Sequence, residues 1–202
     1  ELVIKDNDIL QDEQRYVEIW NLVFMQFEKT PEGTKPLPNP SIDTGAGLER
    51  LAAVLQNKYW NYDTDCFSNI IKKIESITKK SYSSKDSVNS IRVVADHIRS
   101  STMLITDGVI PSNDGRGYVL RRVLRRAVRY GDLLGIKDPF LSLLVDDLIS
   151  LMGSAYPEII DKKEHIKTTL EREENLFRNT LERGLIKFDE FTNLKEDQKK
   201  LK

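Results

Sequence analysis

The feature of this sequence that most restricts its fold is a change of pattern near residue 62. Beyond that point, apolar residues recur at spacings of three and four, the period of amphipathic helices packed around a shared core. Before it, the chain is rich in aromatic, β-branched, proline and glycine residues. The change predicts an α+β, predominantly α-helical fold with two domains, residues 1–62 and residues 63–202.

The balance of charge changes at the same place. Over all 202 residues, 31 Lys and Arg against 32 Asp and Glu give a formal net charge of −1, which argues against a uniformly basic nucleic-acid-binding protein. Residues 1–62 contain 6 basic and 10 acidic residues, a balance of −4, whereas residues 63–202 contain 25 and 22, a balance of +3. Two parts with different partners are therefore expected.

The composition excludes several kinds of site. Cys66 is the single cysteine, which rules out an internal disulfide and a cysteine-built metal site, and the two histidines, His97 and His165, lie far apart in the sequence. No stretch approaches 18 consecutive apolar residues, and the first five residues lack the basic-then-apolar form of a signal peptide. We therefore expect no metal site, no membrane partner and a cytoplasmic location.

The first part alternates extended and helical signals. Residues 16–27 are aromatic and β-branched, which predicts a buried strand, while four prolines and a glycine in residues 30–40 predict a loop. Residues 41–44 predict a short strand, and residues 48–56 a short helix.

The second part predicts five helices, over residues 67–77, 91–105, 118–134, 139–152 and 157–191. The last has an apolar seam that includes Ile166, Leu170 and Phe177. The charges at residues 171–174 and at Arg178 are typical of a solvated helix with i, i+4 pairs.

The most specific segment is residues 43–50, Asp-Thr-Gly-Ala-Gly-Leu-Glu-Arg. Because Gly45 and Gly47 lack a Cβ atom, the backbone can approach a flat or anionic ligand, and the helix that follows directs its free amides at that ligand. Arg50 can lie over a base or bind phosphate, and Asp43 can accept an ammonium group. An ordinary strand-to-helix turn explains the glycines equally well, and no third glycine completes a dinucleotide-binding fingerprint.

The second segment is a run of six arginines without an acidic residue, in residues 116–129. At about 100° per residue, five of them share an arc of roughly 140°, with aliphatic residues on the remaining side. Those five are Arg121, Arg122, Arg125, Arg126 and Arg129. One face can therefore be buried while the other presents guanidinium groups to phosphates. The alternatives are a solvated basic face and acidic partner helices that pair with some of the arginines.

A loop of Pro, Ser, Asn, Asp and Gly residues directly precedes these arginines. Within it, the amide of Asn113 can donate and accept hydrogen bonds together, which suits the reading of a base edge. From spacing alone, a turn or helix-cap residue is the simpler interpretation.

Taken in order, these segments resemble one family, the alanyl-tRNA synthetases of class II. Residues 19–27 resemble a catalytic strand of that family, and Pro36-Leu37-Pro38 with residues 41–50 resembles its motif 3. Residues 92–99 and 115–129 resemble its helical tRNA-recognition region. The resemblance implies an alanine–tRNA ligase, which activates alanine with ATP and Mg²⁺ and transfers it to tRNA(Ala).

The resemblance also implies roles for individual residues, none of them a catalytic side chain. Alanine would contact Asn21, Val23, Asp43 and Gly45, and ATP would contact Gly45, Gly47 and Arg50. Asn113 would read the G·U pair of the acceptor stem. The stem's phosphates would bind Arg116, Arg121, Arg122, Arg125, Arg126 and Arg129.

The same resemblance predicts what is missing. Motifs 1 and 2 of the class II catalytic domain, the second acceptor-stem reader, the editing domain and the C-terminal domain are not in this sequence. Residues 1–62 would be the C-terminal part of the catalytic domain, with a remnant of its antiparallel sheet, and residues 63–202 a truncated helical tRNA-recognition domain. We expect a fragment that is inactive alone and has no DNA partner. The alternative is a non-catalytic helical module that binds RNA or protein.

Overall fold

The computed structural model describes residues 16–200 and has an α+β, predominantly helical fold, as the sequence predicts. Its two antiparallel strands are β1 (Trp20–Thr30) and β2 (Gly33–Ala46). The helices are α1 (Leu48–Leu55), α2 (Asp65–Thr78), α3 (Val88–Thr106), α4 (Gly115–Leu133), α5 (Val145–Met152), α6 (Glu158–Asp161) and α7 (Lys163–Lys200), with 3₁₀ turns at Asn61–Asp63 and Leu141–Leu144. The expectation about the first five residues lies outside the described range.

The chain divides into two compact units, the first ending at Cys66 and the second beginning at Phe67. The boundary expected after residue 62 falls just before this division. Among the described residues, no helix is both long and apolar enough to cross a membrane.

The prediction of a loop over residues 30–40 is wrong, because β2 runs through most of this stretch. β1 and β2 pair from Trp20 and Ala46 down to Thr30 and Gly33, with an irregularity between Met25 and Phe27. Residues 37–40, which include two prolines, have no Cα partner on β1 and form a bulge there. Proline cannot donate a ladder hydrogen bond, so edge strands and bulges are where it is tolerated in a sheet.

The strand predicted over residues 16–27 is present as β1, but the prediction that it is buried is wrong. Among the described residues β2 is its one hydrogen-bonded neighbour, and Phe24 remains 64% exposed. Trp20, Leu22 and Phe24 alternate along β1 and therefore share one exposed apolar face with Ile42, which pairs with Phe24. An apolar pattern predicts the strand, but burial depends on what packs against it.

The second unit has a closed apolar core, and its helices follow the predicted periodicity. The largest set of contacts between helices joins α3 and α4, whose inward residues are almost fully buried. These residues are Ile91, Val94, Ala95, Ile98 and Ile105 on α3, and Leu120, Leu124, Ala127 and Val128 on α4. Gly131 of α4 touches Phe140 so closely that an added Cβ would lie 2.4 Å from a ring carbon.

Two of the predicted helices are interrupted. The segment 139–152 forms the 3₁₀ turn at Leu141–Leu144 before α5, and the segment 157–191 is divided into α6 and α7 at Lys162. The Lys162 ammonium donates to the backbone oxygen of Thr106 at 2.6 Å, near the C-terminal end of α3. This contact stabilises a helix end where carbonyl groups lack helical partners.

The interpretation of the charges at residues 171–174 and Arg178 as a solvated face is wrong for Glu173 and Glu174, although the expected i, i+4 pairing is present between Glu174 and Arg178. Glu174 is buried, and one of its oxygens accepts hydrogen bonds from the backbone nitrogens of Phe140 and Leu141, at 3.1 and 2.9 Å. The other accepts a fork from Arg178, at 3.0 and 2.8 Å. Burial raises the pKa of Glu174, while the hydrogen bonds and Arg178 act in the opposite direction. These contacts fix α7 to the turn that follows α4.

Candidate functional site

The antiparallel register brings together the four residues predicted to contact alanine. Asn21 pairs with Gly45, and Val23 pairs with Asp43. Because alternate residues of a strand point to the same side, all four belong to one face of the hairpin, opposite the apolar face of Trp20. Asp43 is exposed, and one of its carboxylate oxygens accepts a hydrogen bond from the Thr44 nitrogen at 2.8 Å.

The two glycines of this segment make room for neighbouring side chains. A Cβ at Gly45 would lie 3.0 Å from the Asn21 side-chain oxygen, and a Cβ at Gly47 would lie 3.0 Å from Cδ of Arg50. The Gly47 nitrogen donates to the Ile19 oxygen at 3.1 Å. The glycines thus have a packing role within the hairpin and α1, besides any approach to a ligand.

Arg50 is held at the start of α1 by the end of the preceding segment. One terminal nitrogen of its guanidinium donates to the backbone oxygen of Glu18 at 2.5 Å, and the Glu18 side chain accepts from Asn21 at 2.9 Å. Asn21 and Arg50, assigned to alanine and ATP by the resemblance, are therefore both bound to Glu18. The sequence does not indicate this role of Glu18, because no spacing rule connects it to either partner.

The structure divides the arginine arc of α4 into a paired edge and an exposed stripe. Arg121 and Arg125 occupy the edge that faces α7, where their side chains are 20% and 40% exposed. Their Nε atoms lie 3.1 and 3.2 Å from one carboxylate oxygen of Glu173, which is almost fully buried. Pairing with an acidic partner helix, one of the two alternatives, thus applies to these two arginines.

The other three arginines of the arc form the exposed stripe of α4: Arg122, Arg126 and Arg129. Arg122 and Arg126 lie 5.7 and 5.6 Å from the ring centres of Tyr118 and Tyr130, within the range of cation–π contacts. Arg129 pairs with Asp132 at 2.9 Å but remains 44% exposed. Arg116, in the first turn, is exposed as well.

Asn113 lies beside the paired edge of α4. It does not cap the helix, since the N-cap is Asp114. Instead its side-chain oxygen accepts a hydrogen bond from a terminal nitrogen of Arg121. Gly117 makes this placement possible, because an added Cβ would lie 2.3 Å from both the Ile110 oxygen and the Ser112 hydroxyl.

A cleft of about 340 Å³ opens between this loop and α7. Its lining includes Ile110, Pro111, Arg121, His165, Arg172 and Glu173. Glu173 is a site residue that was not predicted, although its position in the sequence carries a signal. In spacing, Glu173 continues the apolar seam of Ile166, Leu170 and Phe177, and a charged residue at a seam position needs a buried partner.

The remaining polar groups include no evident metal centre. Among residues 16–200, no group of three or more His, Cys, Asp or Glu side chains is arranged to hold a metal ion. His97 Nδ1 lies 2.9 Å from Asp96 Oδ2, and this hydrogen bond is the main cause that lowers the pKa of Asp96.

Comparison with known proteins agrees with these features. A family model described as tRNA synthetases class II (A) matches residues 3–202. The chain therefore belongs to the class II (A) tRNA synthetase family, which confirms the class inferred from the motifs.

Individual relatives are more specific. The chain is 55% identical over 191 residues to an alanine–tRNA ligase of Francisella philomiragia, and 57% identical over 188 residues to one of Idiomarina loihiensis. It is 57% identical over 174 residues to an alanine–tRNA ligase of Fervidobacterium nodosum. These alignments cover 93%, 92% and 85% of this chain but 22%, 21% and 20% of the relatives. The chain thus spans about a fifth of the length of the curated relatives it matches.

Proposed function

We propose that this chain is a section of a cytoplasmic alanine–tRNA ligase, which activates alanine with ATP and transfers the alanyl group to tRNA(Ala). Its relatives carry that name along most of this sequence. The observation that best supports the tRNA part is the exposed stripe of α4, with Asn113 in the loop directly before that helix. Phosphate contacts position a nucleic acid, and a polar side chain beside them can read a base edge.

The hairpin contributes to the alanine and ATP sites in this proposal. Asp43 binds the α-ammonium group, Asn21 and Val23 line the small side-chain pocket with Gly45, and Gly47 and Arg50 meet ATP. Two features support this proposal. The four residues assigned to the substrate alanine share one face of the hairpin, and Arg50 is anchored at the N-terminal end of α1. The first amides of that helix favour anionic groups.

ATP brings Mg²⁺ in the complete enzyme, where the metal would neutralise phosphate charge. The described residues offer it no cluster of ligands, so we assign none of them to the metal. What these residues supply is orientation and electrostatic attraction of the substrates, since the alanine carboxylate is itself the nucleophile that attacks ATP. We propose that the chain alone forms no alanyl-adenylate.

The helical unit binds the acceptor stem. Arg116 and the exposed stripe of α4 hold phosphates, while Asn113 faces the G·U pair. Arg121 and Arg125, already paired with Glu173, contribute positive potential without direct phosphate contact. Binding should be weak and sensitive to salt, because a few arginines carry it.

The experiment that tests the proposal is aminoacylation by the complete protein from which this sequence derives. It should charge tRNA with alanine, and a stem carrying G·U should be preferred over the same stem carrying G·C. The chain of 202 residues should bind the G·U stem but show no alanine-dependent exchange between ATP and pyrophosphate. Binding of RNA without charging by the complete protein would favour the non-catalytic module, and charging of another amino acid would overturn the assignment.

A further inference from the structure

Arg121 connects the buried Glu173 to the exposed Asn113. Its Nε lies 3.1 Å from a Glu173 carboxylate oxygen, and its terminal nitrogens donate to the Asn113 side-chain oxygen and, at 3.3 Å, to the backbone oxygen of Pro111. The two terminal nitrogens thus each donate to an acceptor, while the buried Nε makes no hydrogen bond to any described residue and lies at ion-pair distance from Glu173. Arg121 is also one of the less exposed arginines of α4.

The chemistry of arginine determines which way the Asn113 amide points. A guanidinium has five N–H donors and no acceptor, so the atom that faces it must be the amide oxygen. With that oxygen occupied, Asn113 presents its NH₂ group, a pure donor, to a ligand. A freely rotating amide would offer a donor or an acceptor equally well and could discriminate less between base edges.

We propose that Arg121 is a positioning residue that sets the specificity of Asn113 by holding its amide in this orientation. The inference rests on the proposed function, and it identifies the target of Asn113 as a hydrogen-bond acceptor in the minor groove of an RNA stem. Pyrimidine O2 and purine N3 are such acceptors, and the RNA minor groove is wide and shallow enough to admit a side chain. A G·U wobble displaces the pyrimidine O2 from its place in G·C.

Glu173 makes the arrangement rigid. Because it is almost fully buried and contacts both Arg121 and Arg125, its charge restrains both guanidinium groups at once. Arg125 in addition lies 5.3 Å from the ring centre of Phe177, one turn further along α7. The orientation of Asn113 is thereby tied to the packing of α4 on α7.

The test measures the dissociation constants of two acceptor-stem hairpins of tRNA(Ala), one with G·U and one with G·C, and takes their ratio. The wild-type chain should prefer G·U by about tenfold, the value of one well-placed hydrogen bond. Arg121→Met should reduce that ratio to about two or less. The control Arg122→Met, on the exposed stripe of the same helix, should weaken both hairpins alike and keep the ratio.

Asn113→Asp separates orientation from folding. Aspartate keeps an oxygen for Arg121 but has no donor to present, so the variant should no longer prefer the G·U hairpin over the G·C hairpin. Its circular dichroism and thermal midpoint should remain those of a folded chain. In an Asn113→Ala background, Arg121→Met should change the ratio no further, because Arg121 acts through Asn113. A merely structural role would lower affinity for both hairpins equally.

Each remaining outcome has a definite meaning. If the wild type prefers G·U and folded Arg121→Met keeps that preference, the positioning role of Arg121 is overturned while the proposed function stands. If the wild-type chain binds neither hairpin, the proposed RNA-binding function fails, and the inference fails with it. Retention of the ratio in Asn113→Asp would show that the amide NH₂ is not the reading group.

Discussion

Arg125 of α4 donates its Nε hydrogen to Glu173 of α7 at 3.2 Å, across 48 residues of sequence. The contact separates arginines that look equivalent in the sequence. Those that face Glu173 are held by a buried carboxylate of another helix, whereas on the exposed stripe Arg129 pairs with Asp132 of its own helix and the other two lie beside tyrosine rings. The arginines of α4 should therefore contribute unequally to the binding of RNA.

We expect Arg122→Gln, Arg126→Gln and Arg129→Gln together to reduce the salt dependence of acceptor-stem binding. Each lost phosphate contact lowers the slope of log affinity against log salt by about 0.7–0.9. The measurement is the dissociation constant of the hairpin over a series of salt concentrations. Arg121→Gln with Arg125→Gln should change the slope much less.

The matched control removes three positive charges elsewhere in the second unit, by Lys72→Gln, Lys80→Gln and Lys85→Gln. All three lysines are exposed and lie before α3. If this control lowers the slope as much as the α4 triple does, net charge rather than the exposed stripe governs binding.

Asp43 should determine the alanine requirement of the complete ligase. Replacement by Ala removes the carboxylate proposed to bind the α-ammonium group, so the KM for alanine in ATP–pyrophosphate exchange should rise by at least about tenfold, the value of a charge-assisted hydrogen bond. Ser41→Ala, two residues earlier on β2 and also exposed, serves as the control. An unchanged KM in Asp43→Ala would remove this residue from the alanine site.

Gly131 of α4 should not accept a side chain without a loss of stability. A Cβ there would lie 2.4 and 2.5 Å from carbons of the Phe140 ring, and overpacking of this kind costs about 1–3 kcal/mol of unfolding free energy. Gly184→Ala in α7 is the control, because no atom lies within 4 Å of its added Cβ. Urea unfolding should show a loss for Gly131→Ala and none for Gly184→Ala. Equal stability of the two variants would contradict the packing described for Phe140.

The Asp96–His97 pair should make a small, pH-dependent contribution to stability. The His97 hydrogen bond lowers the pKa of Asp96 below its ordinary value of 3.8, an effect that Arg99 and Arg126 increase and burial opposes. Ionised Asp96 therefore stabilises the fold above that ordinary pKa, and this stabilisation is lost as the pH falls through the lowered folded pKa.

Asp96→Asn tests this dependence. Since the Asp96 side chain is 46% exposed, solvent screening should keep the difference from wild type below about 1 kcal/mol near neutral pH. Urea unfolding at a series of pH values should show the two proteins converging as the solution becomes more acid than pH 3.8. A difference that persists unchanged throughout the acid range would exclude Asp96 as its source.

The sequence predicted much of the helical unit because its apolar periodicity is a local signal that tertiary packing reinforces. The apolar spacing of α3 and α4, with Gly108 and Gly135 close after their ends, predicted both helices with C-terminal ends within one residue, although the predicted N-terminal ends were three residues late. Gly108 and Gly135 have φ values of +84° and +91°, a region that favours glycine. The helix α1 and the extended segment at residues 41–44, both predicted from the sequence, follow the same local logic.

What could not be predicted depends on contacts between distant segments. Glu173 and Glu174 stand in a run of charges that looks solvated, yet their partners lie on α4, in the turn after it and one helical turn further along α7. Two of the three prolines of β2, Pro38 and Pro40, were misleading for a different reason, since their cost in a strand disappears where residues 37–40 have no partner on β1.

The exposed apolar face of Trp20 also has a practical meaning for anyone who purifies this chain. A two-stranded hairpin with unpaired outer edges and exposed aromatic residues is a template for edge-to-edge pairing with another chain. Light scattering and gel filtration should therefore reveal aggregation that increases with protein concentration. A shorter polypeptide that starts at Phe67 lacks this exposed apolar face and keeps α3, α4, α7 and the cleft between α7 and the loop before α4. It also keeps every residue that we propose to contact an acceptor stem.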